Sequence, residues 1–283
     1  MNLKPALAVT LLLGVVGAVG CGSGGSSTGS ATTFKPTSEK PNPSAAVVRV
    51  EAIYAGGRRV VSTGFVYDIR HGLLLAPDHT VEGAREVHLT MSDGTPLHGV
   101  TLARAQCHDL SVVRLHPLPA GLSGLRFADS DTVRPGDPVS VLSYALGSAS
   151  GGQQITRTTG QVSAVNVKAV LHPLLPAFSP LIADQTPLGA GSSGSPLLNA
   201  RSQVVGINTL VGEKHGSGSV PGVEYALDSN KVRSLLAELK PSSTAAFSGW
   251  EEEHMCHRQM NQIAGVKGGV GMGEGMSGMH TGH

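Results

Sequence analysis

The stretch Gly191-Ser192-Ser193-Gly194-Ser195-Pro196-Leu197-Leu198-Asn199 places a serine between glycines, directly ahead of an apolar run. Glycines allow the tight backbone turn that lets the N–H groups of Gly191 and Ser193 point to one place. That place can hold an oxyanion, and the loss of one such donor typically costs about 3 to 4 kcal/mol of transition-state stabilisation. Ser193 is therefore a candidate nucleophile.

Two further polar residues precede this serine, so that the order along the chain is His, Asp, Ser. His79 follows the apolar run that ends in Leu75-Ala76-Pro77-Asp78, and Asp109 opens the run Asp109-Leu110-Ser111-Val112-Val113. A serine hydroxyl is a poor nucleophile near neutral pH until an imidazole removes its proton, and a carboxylate must orient that imidazole. The three residue types together indicate nucleophilic catalysis.

Short β-type runs surround these motifs from Ala45 to about Asn208, bounded by Gly, Pro, Asp or Ser. They are Val47-Val48-Arg49-Val50, Gly64-Phe65-Val66-Tyr67, Val87-His88-Leu89-Thr90, Leu110-Ser111-Val112-Val113, Val139-Ser140-Val141-Leu142 and Val204-Val205-Gly206-Ile207. Asp93-Gly94 indicates a hairpin turn. No helix-length periodic segment separates the runs, so an all-β barrel or sandwich is predicted.

One helix is predicted at the end of this region. Asp228-Ser229 can cap it and Pro241 stops it, while apolar residues recur at i, i+3, i+4 and i+7. These are Val232, Leu235, Leu236 and Leu239. Residues 45–240 therefore form one folded unit that the helix closes.

Composition excludes several classes of protein. The 283 residues carry a net charge of +1 and are only 14% charged, so nothing favours nucleic acid as a partner. The 38 Gly and 17 Pro disfavour an all-α fold. No cofactor and no metal in the catalytic site are expected.

The motifs also carry a resemblance to a known family. The stretches are Ser62 to Val66, Asp78 to Ala84, Leu89 to Gly94, Asp109 to Leu115, Ala128 to Asp131, Arg134 to Asp137, Thr159 to Ala164, Gly191 to Asn199, Val205 to Thr209 and Tyr225 to Asn230. In this order they resemble the protease domain of the HtrA/Deg family of trypsin-like serine proteases. The resemblance covers nearly all of residues 45–240 and implies two six-stranded β-barrels with the site in the cleft between them.

By this resemblance, His79 is the general base, Asp109 its orienting group and Ser193 the nucleophile, with Gly191 and Ser193 supplying the oxyanion hole. The family usually has Asn where this chain has Ser192, and Asn-Asn where it has Pro77-Asp78. An extra carboxylate at Asp78 could compete for the imidazole. The family's peptide-binding PDZ domain is not expected, because only 43 residues follow Lys240.

The resemblance also implies a primary side-chain pocket, lined by Leu188, Gly189 and the segment 222–225. Leu188 favours a medium apolar residue before the scissile bond. Glu224 stands where the family more often has Gly. It could favour a basic residue or simply extend into solvent, and the second interpretation is preferred.

The N-terminal residues predict export. Residues 1–20 read as a signal peptide whose apolar run of 15 residues, Ala6 to Gly20, is short for a membrane span. Cys21 follows small residues in a pattern that resembles a bacterial lipobox, so we expect a lipid anchor there; ordinary cleavage and release as a soluble secreted or periplasmic protein is the alternative. Residues 21–44, rich in Gly, Ser, Thr and Pro, are predicted to be a flexible linker.

The remaining cysteines and the tail leave alternatives open. Two alternatives stand for Cys107 and Cys256: a disulfide formed after export, or two separate thiols. Residues 241–283 hold five of the seven Met and four of the twelve His. Such soft ligands suit copper, but a disordered Gly/Met/His-rich tail is the preferred interpretation.

The sequence as a whole predicts an exported, membrane-tethered serine endopeptidase that cleaves cell-envelope or misfolded proteins. Its partners would be polypeptide substrates and, through Cys21, the membrane. The alternative is a catalytically inactive trypsin-like domain that binds polypeptides as a scaffold or chaperone. Relatives trimerise, and a homotrimer stays open here, since Phe34 is the lone N-terminal aromatic residue identified for such contacts.

Overall fold

The computed structural model describes residues 42–169, 178–209 and 222–239. Its strands are β1 (Val47–Ile53), β2 (Arg59–Asp68), β3 (Leu73–Ala76), β4 (Glu86–Thr90), β5 (Pro96–Ala105), β6 (Leu110–His116), β7 (Pro138–Ser143), β8 (Thr156–Ala169), β9 (Phe178–Asp184), β10 (Pro196–Leu198), β11 (Val204–Asn208) and β12 (Glu224–Asp228). Two helices accompany them, α1 (Asp78–Val81) and α2 (Ser229–Glu238). All six runs predicted as strands lie within these elements.

The strands close two barrels. The first has the order β1-β2-β3-β6-β5-β4 and the second β10-β11-β12-β9-β8-β7. Every strand pairing within them is antiparallel, as expected from connections too short for a crossover helix. The predicted all-β double barrel of the trypsin type, with a helix at its C-terminal end, is confirmed.

Successive side chains of a strand point to opposite faces, and the buried apolar residues form three clusters. Leu74 of β3 points into the first barrel, whereas Leu73 and Leu75 belong to a cluster that joins residues of both barrels. Ile182 of β9 and Ala226 of β12 fill the second barrel. Because the joint cluster packs the barrels against each other, loops at their seam are held in fixed relative positions.

The two local turn signals read from the sequence are present. At the predicted hairpin, the Met91 N–H donates to the Thr95 carbonyl at 2.9 Å, and Gly94 has a φ of +88°. At the start of α2, the Asp228 side chain accepts a hydrogen bond from the Lys231 N–H at 2.7 Å. Val232 of this helix is buried in the cluster between the barrels, so the apolar face of α2 packs there.

Several predictions concern residues outside the described ranges. They are the signal peptide, the lipid anchor at Cys21, the linker up to residue 41 and the tail with its copper alternative. Within the described ranges, no helix is long and apolar enough to cross a membrane. Cys107 is disulfide-bonded, while Cys21 and Cys256, the two other cysteines of the chain, both lie outside those ranges.

Candidate active site

The imidazole of His79 and the carboxylate of Asp109 are in direct contact. His79 Nδ1 lies 2.9 Å from each carboxylate oxygen, and the backbone N–H of His79 donates to Oδ1, also at 2.9 Å. An ionised carboxylate can only accept, so this geometry assigns the ring proton to Nδ1 and the lone pair to Nε2. The Asp109 side chain is fully buried, whereas that of His79 keeps 11% of its exposure. The ring is therefore in the tautomer that a general base requires.

Strand pairing explains why these residues meet although 30 positions separate them. Ala76 at the end of β3 pairs with Ser111 near the start of β6, so α1 and the residue before β6 are neighbours. Asp109 itself has a φ of +50°, in the left-handed region that few residues other than glycine adopt. The Tyr54 hydroxyl stabilises α1 by donating a hydrogen bond to the Thr80 carbonyl at 2.6 Å.

The second barrel contributes one hydroxyl to this pair. Thr209 follows β11, and its Oγ1 donates to Asp109 Oδ2 at 3.1 Å, across 100 residues of sequence. The Thr209 N–H in turn donates to the Tyr225 carbonyl of β12 at 3.2 Å. The Asp109 carboxylate is thus held by both barrels, so its direction depends on their packing.

The loop that carries Ser193 packs against the segment that carries His79. Gly194 has a φ of +81°, and a Cβ there would lie 2.5 Å from Cδ of Pro77, which stands two residues before His79. The Thr63 N–H of β2 donates to the Ser193 carbonyl at 3.0 Å. Ser193 is 7% exposed. All three residues predicted as catalytic therefore belong to segments that meet at the seam between the barrels.

Gly191 has a conformation and surroundings that only glycine tolerates. Its φ is +90°, and a Cβ would lie 2.5 Å from the Tyr144 carbonyl oxygen. The preceding carbonyl, that of Ala190, accepts a hydrogen bond from the Leu146 N–H at 2.8 Å. Because the C=O and N–H of a trans peptide point in opposite directions, this bond fixes where the Gly191 N–H points.

The peptide that carries the Ser193 N–H is held in the same way. Its carbonyl, that of Ser192, accepts from the Ser195 N–H at 3.0 Å. Thr63 Oγ1 also donates to the Gly191 carbonyl at 2.8 Å, so the intervening peptide is anchored to the first barrel. The directions of both N–H groups predicted for the oxyanion hole are therefore set by the fold before any substrate arrives.

Asp78, the carboxylate that could compete for the imidazole, forms an ion pair with Arg104. Its carboxylate accepts from Arg104 Nε at 2.7 Å and Nη2 at 2.9 Å, and from the Ser111 hydroxyl at 2.5 Å. Arg104 also pairs with Glu82. Asp78 is 3% exposed, and this bidentate pair directs its charge toward Arg104. The Asp78 carboxylate therefore has a cationic partner other than the imidazole, because Arg104 reaches it from β5, 26 residues along the chain.

The residues predicted for the side-chain pocket are close together in the second barrel. Leu188 and Gly189 are half-buried, and Leu188 packs against the apolar interior. Glu224 is half-buried too, whereas the preferred interpretation has it extend into solvent. Burial, together with repulsion from Asp184, raises the pKa of Glu224 to about 7, and a hydrogen bond from the Leu188 backbone works in the opposite direction.

Thr63, Thr209 and Arg104 were not identified as site residues from the sequence. Thr63 and Thr209 lie inside stretches that carry the family resemblance, yet nothing local distinguishes their hydroxyls from other threonines. Arg104 lies in a strand that showed no catalytic motif. Among the described residues, no group of three His, Cys, Asp or Glu side chains is arranged to hold a metal ion.

Comparison with known proteins identifies the family of this chain. The sequence profile of the trypsin-like peptidase domain matches residues 62–207. A probable periplasmic serine protease do/HhoA-like of Haemophilus influenzae is 26% identical over 181 residues, which cover 64% of this chain and 37% of the relative. The periplasmic pH-dependent serine endoprotease DegQ of Escherichia coli is 26% identical over 229 residues, covering 73% of this chain and 48% of DegQ. The chain thus spans between about a third and a half of these relatives.

Solved structures share the fold. The HtrA-type protease AlgW with tripeptide superposes with a TM-score of 0.59 at 21% identity, covering 69% of this chain and 60% of AlgW. The Rv3671c protease of M. tuberculosis in its active form gives a TM-score of 0.60 at 19% identity, covering 72% and 85% of the two chains. With more than half of its residues matched by the family profile, the chain belongs to the trypsin-like peptidase family, and its relatives are HtrA/Deg serine proteases.

Proposed function

We propose that this protein is an exported serine endopeptidase in which Ser193, His79 and Asp109 form the catalytic triad. The observation that carries the proposal is the contact of His79 Nδ1 with both oxygens of the buried Asp109 carboxylate, at 2.9 Å. That contact keeps the lone pair on Nε2, the nitrogen that must accept the serine proton. The homologous proteases support the same reaction.

In the proposed mechanism, Nε2 of His79 removes the proton of the Ser193 hydroxyl as its oxygen attacks the scissile carbonyl carbon. The imidazolium that forms is stabilised by Asp109 and then gives its proton to the departing amine. Water, activated by the same ring, hydrolyses the acyl-enzyme and restores the serine. Each step needs the ring to keep one orientation, which the hydrogen bond from Thr209 to Asp109 supports.

The N–H groups of Gly191 and Ser193 would bind the oxyanion of the tetrahedral intermediate. Their peptide planes are held by hydrogen bonds to the Ala190 and Ser192 carbonyls. Donors that are oriented in advance need no reorganisation when charge develops, which is the main source of their catalytic effect. An inactive scaffold would have no need for this orientation, so catalysis is favoured over a purely polypeptide-binding role.

We place the enzyme in the cell envelope, with cell-envelope or misfolded proteins as substrates and a lipid on Cys21 as membrane anchor. The support is the N-terminal sequence and the periplasmic location stated for the relatives. Phase partition in a detergent that separates on warming tests the anchor. The full-length protein should enter the detergent phase and Cys21→Ser should not; equal partition of both would overturn lipidation.

A fluorophosphonate probe tests the catalytic proposal directly, because only a serine activated by a base beside an oxyanion hole reacts readily. The natural chain should be labelled at Ser193, and it should hydrolyse casein. Ser193→Ala should retain its thermal unfolding profile and lose about 10⁶-fold in kcat. Ser234→Ala, which removes an exposed hydroxyl on α2, is the matched control and should keep labelling. Absence of labelling in the folded natural chain would favour the scaffold function.

A further inference from the structure

Two carboxylates face each other across neighbouring strands of the second barrel. Glu224 of β12 is the register partner of Asp184 of β9. Ile182 and Ala226, each two residues from one of these carboxylates on the same strand, lie in the barrel interior. Because side chains alternate along a strand, Asp184 and Glu224 project to that same side, at one end of the apolar interior.

Hydrogen bonds connect this end of the barrel to the loop of the proposed nucleophile. The Leu188 backbone N–H donates to the Glu224 carboxylate, and the next carbonyl, that of Gly189, accepts from the Ser192 N–H at 3.0 Å. Ser193 follows at once. On the other side, the Tyr225 carbonyl accepts from Thr209, whose hydroxyl holds Asp109. Glu224 is therefore flanked by the two segments that lead to the nucleophile and to its orienting carboxylate.

Within the described residues, neither carboxylate of this pair has a cationic partner. Asp184 has no exposed surface; its Oδ1 accepts from the N–H and hydroxyl of Thr186, and its Oδ2 has no hydrogen-bond partner. Neither Asp184 nor Glu224 takes part in any ion pair found in the described ranges. Burying a carboxylate without a cationic partner is costly, so a cation that approaches Glu224 would be bound favourably there.

We propose that Glu224, backed by Asp184, forms the floor of the primary side-chain pocket and selects lysine or arginine before the scissile bond. This inference rests on the proposed endopeptidase function and names its substrate class. A long side chain with a cationic end would pack its methylene groups against Leu188 and bring its N–H donors to the Glu224 carboxylate. An apolar side chain would leave that carboxylate without a cationic partner.

Two measurements test the proposal. The first is the ratio of kcat/KM for a peptide with arginine at this position to that for the same peptide with valine. The natural chain should favour arginine, and Glu224→Gln should lower the ratio at least about tenfold, since hydrogen bonds to charged groups contribute that much. Asp184→Asn, which keeps an acceptor for Thr186, should lower it as well. Glu238→Gln, a carboxylate exposed on α2, is the matched control and should leave it unchanged.

The second measurement needs no catalysis. The cationic fluorophore p-aminobenzamidine should bind the Ser193→Ala chain, and adding Glu224→Gln should weaken its Kd at least about tenfold. A substrate ratio and a Kd that both stay within twofold in the Glu224→Gln chain would overturn the pocket assignment. Fluorophosphonate labelling reports separately on the catalytic proposal. Loss of labelling with retained p-aminobenzamidine binding would therefore refute catalysis and leave the cation pocket intact.

Discussion

Replacement of Arg104 by glutamine tests whether the ion pair beside His79 stabilises the fold. The guanidinium holds both oxygens of Asp78, at 2.7 and 2.9 Å, and contacts Glu82 as well. The Asp78 side chain is only 5% exposed, so removal of its partner strands a buried charge. Breaking a buried pair in this way typically costs about 3 to 5 kcal/mol.

The size of the effect follows from the surroundings of the pair. The Arg104 side chain keeps 28% of its exposure, so water can partly replace it, and we expect a loss of about 3 kcal/mol in the free energy of unfolding, at the lower end of that range. For a domain of this size, that corresponds to a decrease in Tm of about 6 to 12 °C. Arg59→Gln is the control, because the Arg59 side chain is 60% exposed in its pair with Glu51 and should cost about 1 kcal/mol or less.

A double-mutant cycle measured by urea unfolding separates the charge effect from lost packing. In an Asp78→Asn background the buried charge is gone, so Arg104→Gln should then cost about 1 kcal/mol or less. If Arg104→Gln costs the same in both backgrounds, or no more than Arg59→Gln, the argument that Arg104 neutralises Asp78 is wrong. Equal m-values for all variants confirm that the comparison concerns stability alone.

Three further predictions concern the site. Asp109→Asn should lower kcat by about 10⁴-fold through the wrong imidazole tautomer. It should also lower the urea midpoint, because the single amide oxygen cannot accept from both the His79 N–H and Thr209; a kcat loss below tenfold would contradict the assigned role. Gly194→Ala should abolish fluorophosphonate labelling and lower Tm, because its φ of +81° and the contact with Pro77 exclude a Cβ; an unchanged Tm would argue against that packing. Burial raises the pKa of Glu224 from 4.5 to about 7, so this group contributes stability below pH 4.5 that is lost as pH rises to 7. Glu224→Gln should therefore raise the urea midpoint at pH 8 and leave it nearly unchanged at pH 4, and an equal effect at both pH values would count against the raised pKa.

Local patterns were sufficient for much of the fold. The β-branched runs, the Asp93-Gly94 turn and the cap at Asp228 each depend on interactions within a few residues, which an amino-acid sequence displays directly. The order of the His79, Asp109 and Ser193 motifs identified the family for the same reason, since each motif needs glycine, carboxylate or imidazole at a fixed local spacing. The two closed barrels follow once those strands pair in the order that is typical of the family.

The partners of the site residues could not be read in this way. Thr209 reaches Asp109 across 100 positions, and Thr63 reaches Gly191 across 128. Such contacts are set by the packing of one barrel on the other, and no local signal marks which threonine will face a carboxylate. Packing alone also brings Arg104 to Asp78.

Glu224 shows the same division most clearly. The sequence permits either a solvated glutamate or a pocket carboxylate, because strand alternation specifies a side but not what covers it. Its register with Asp184 and its contact with Leu188 place the group in a half-buried position. Short motifs thus indicate the proposed chemistry, whereas the proposed selectivity depends on carboxylates that only long-range packing brings together.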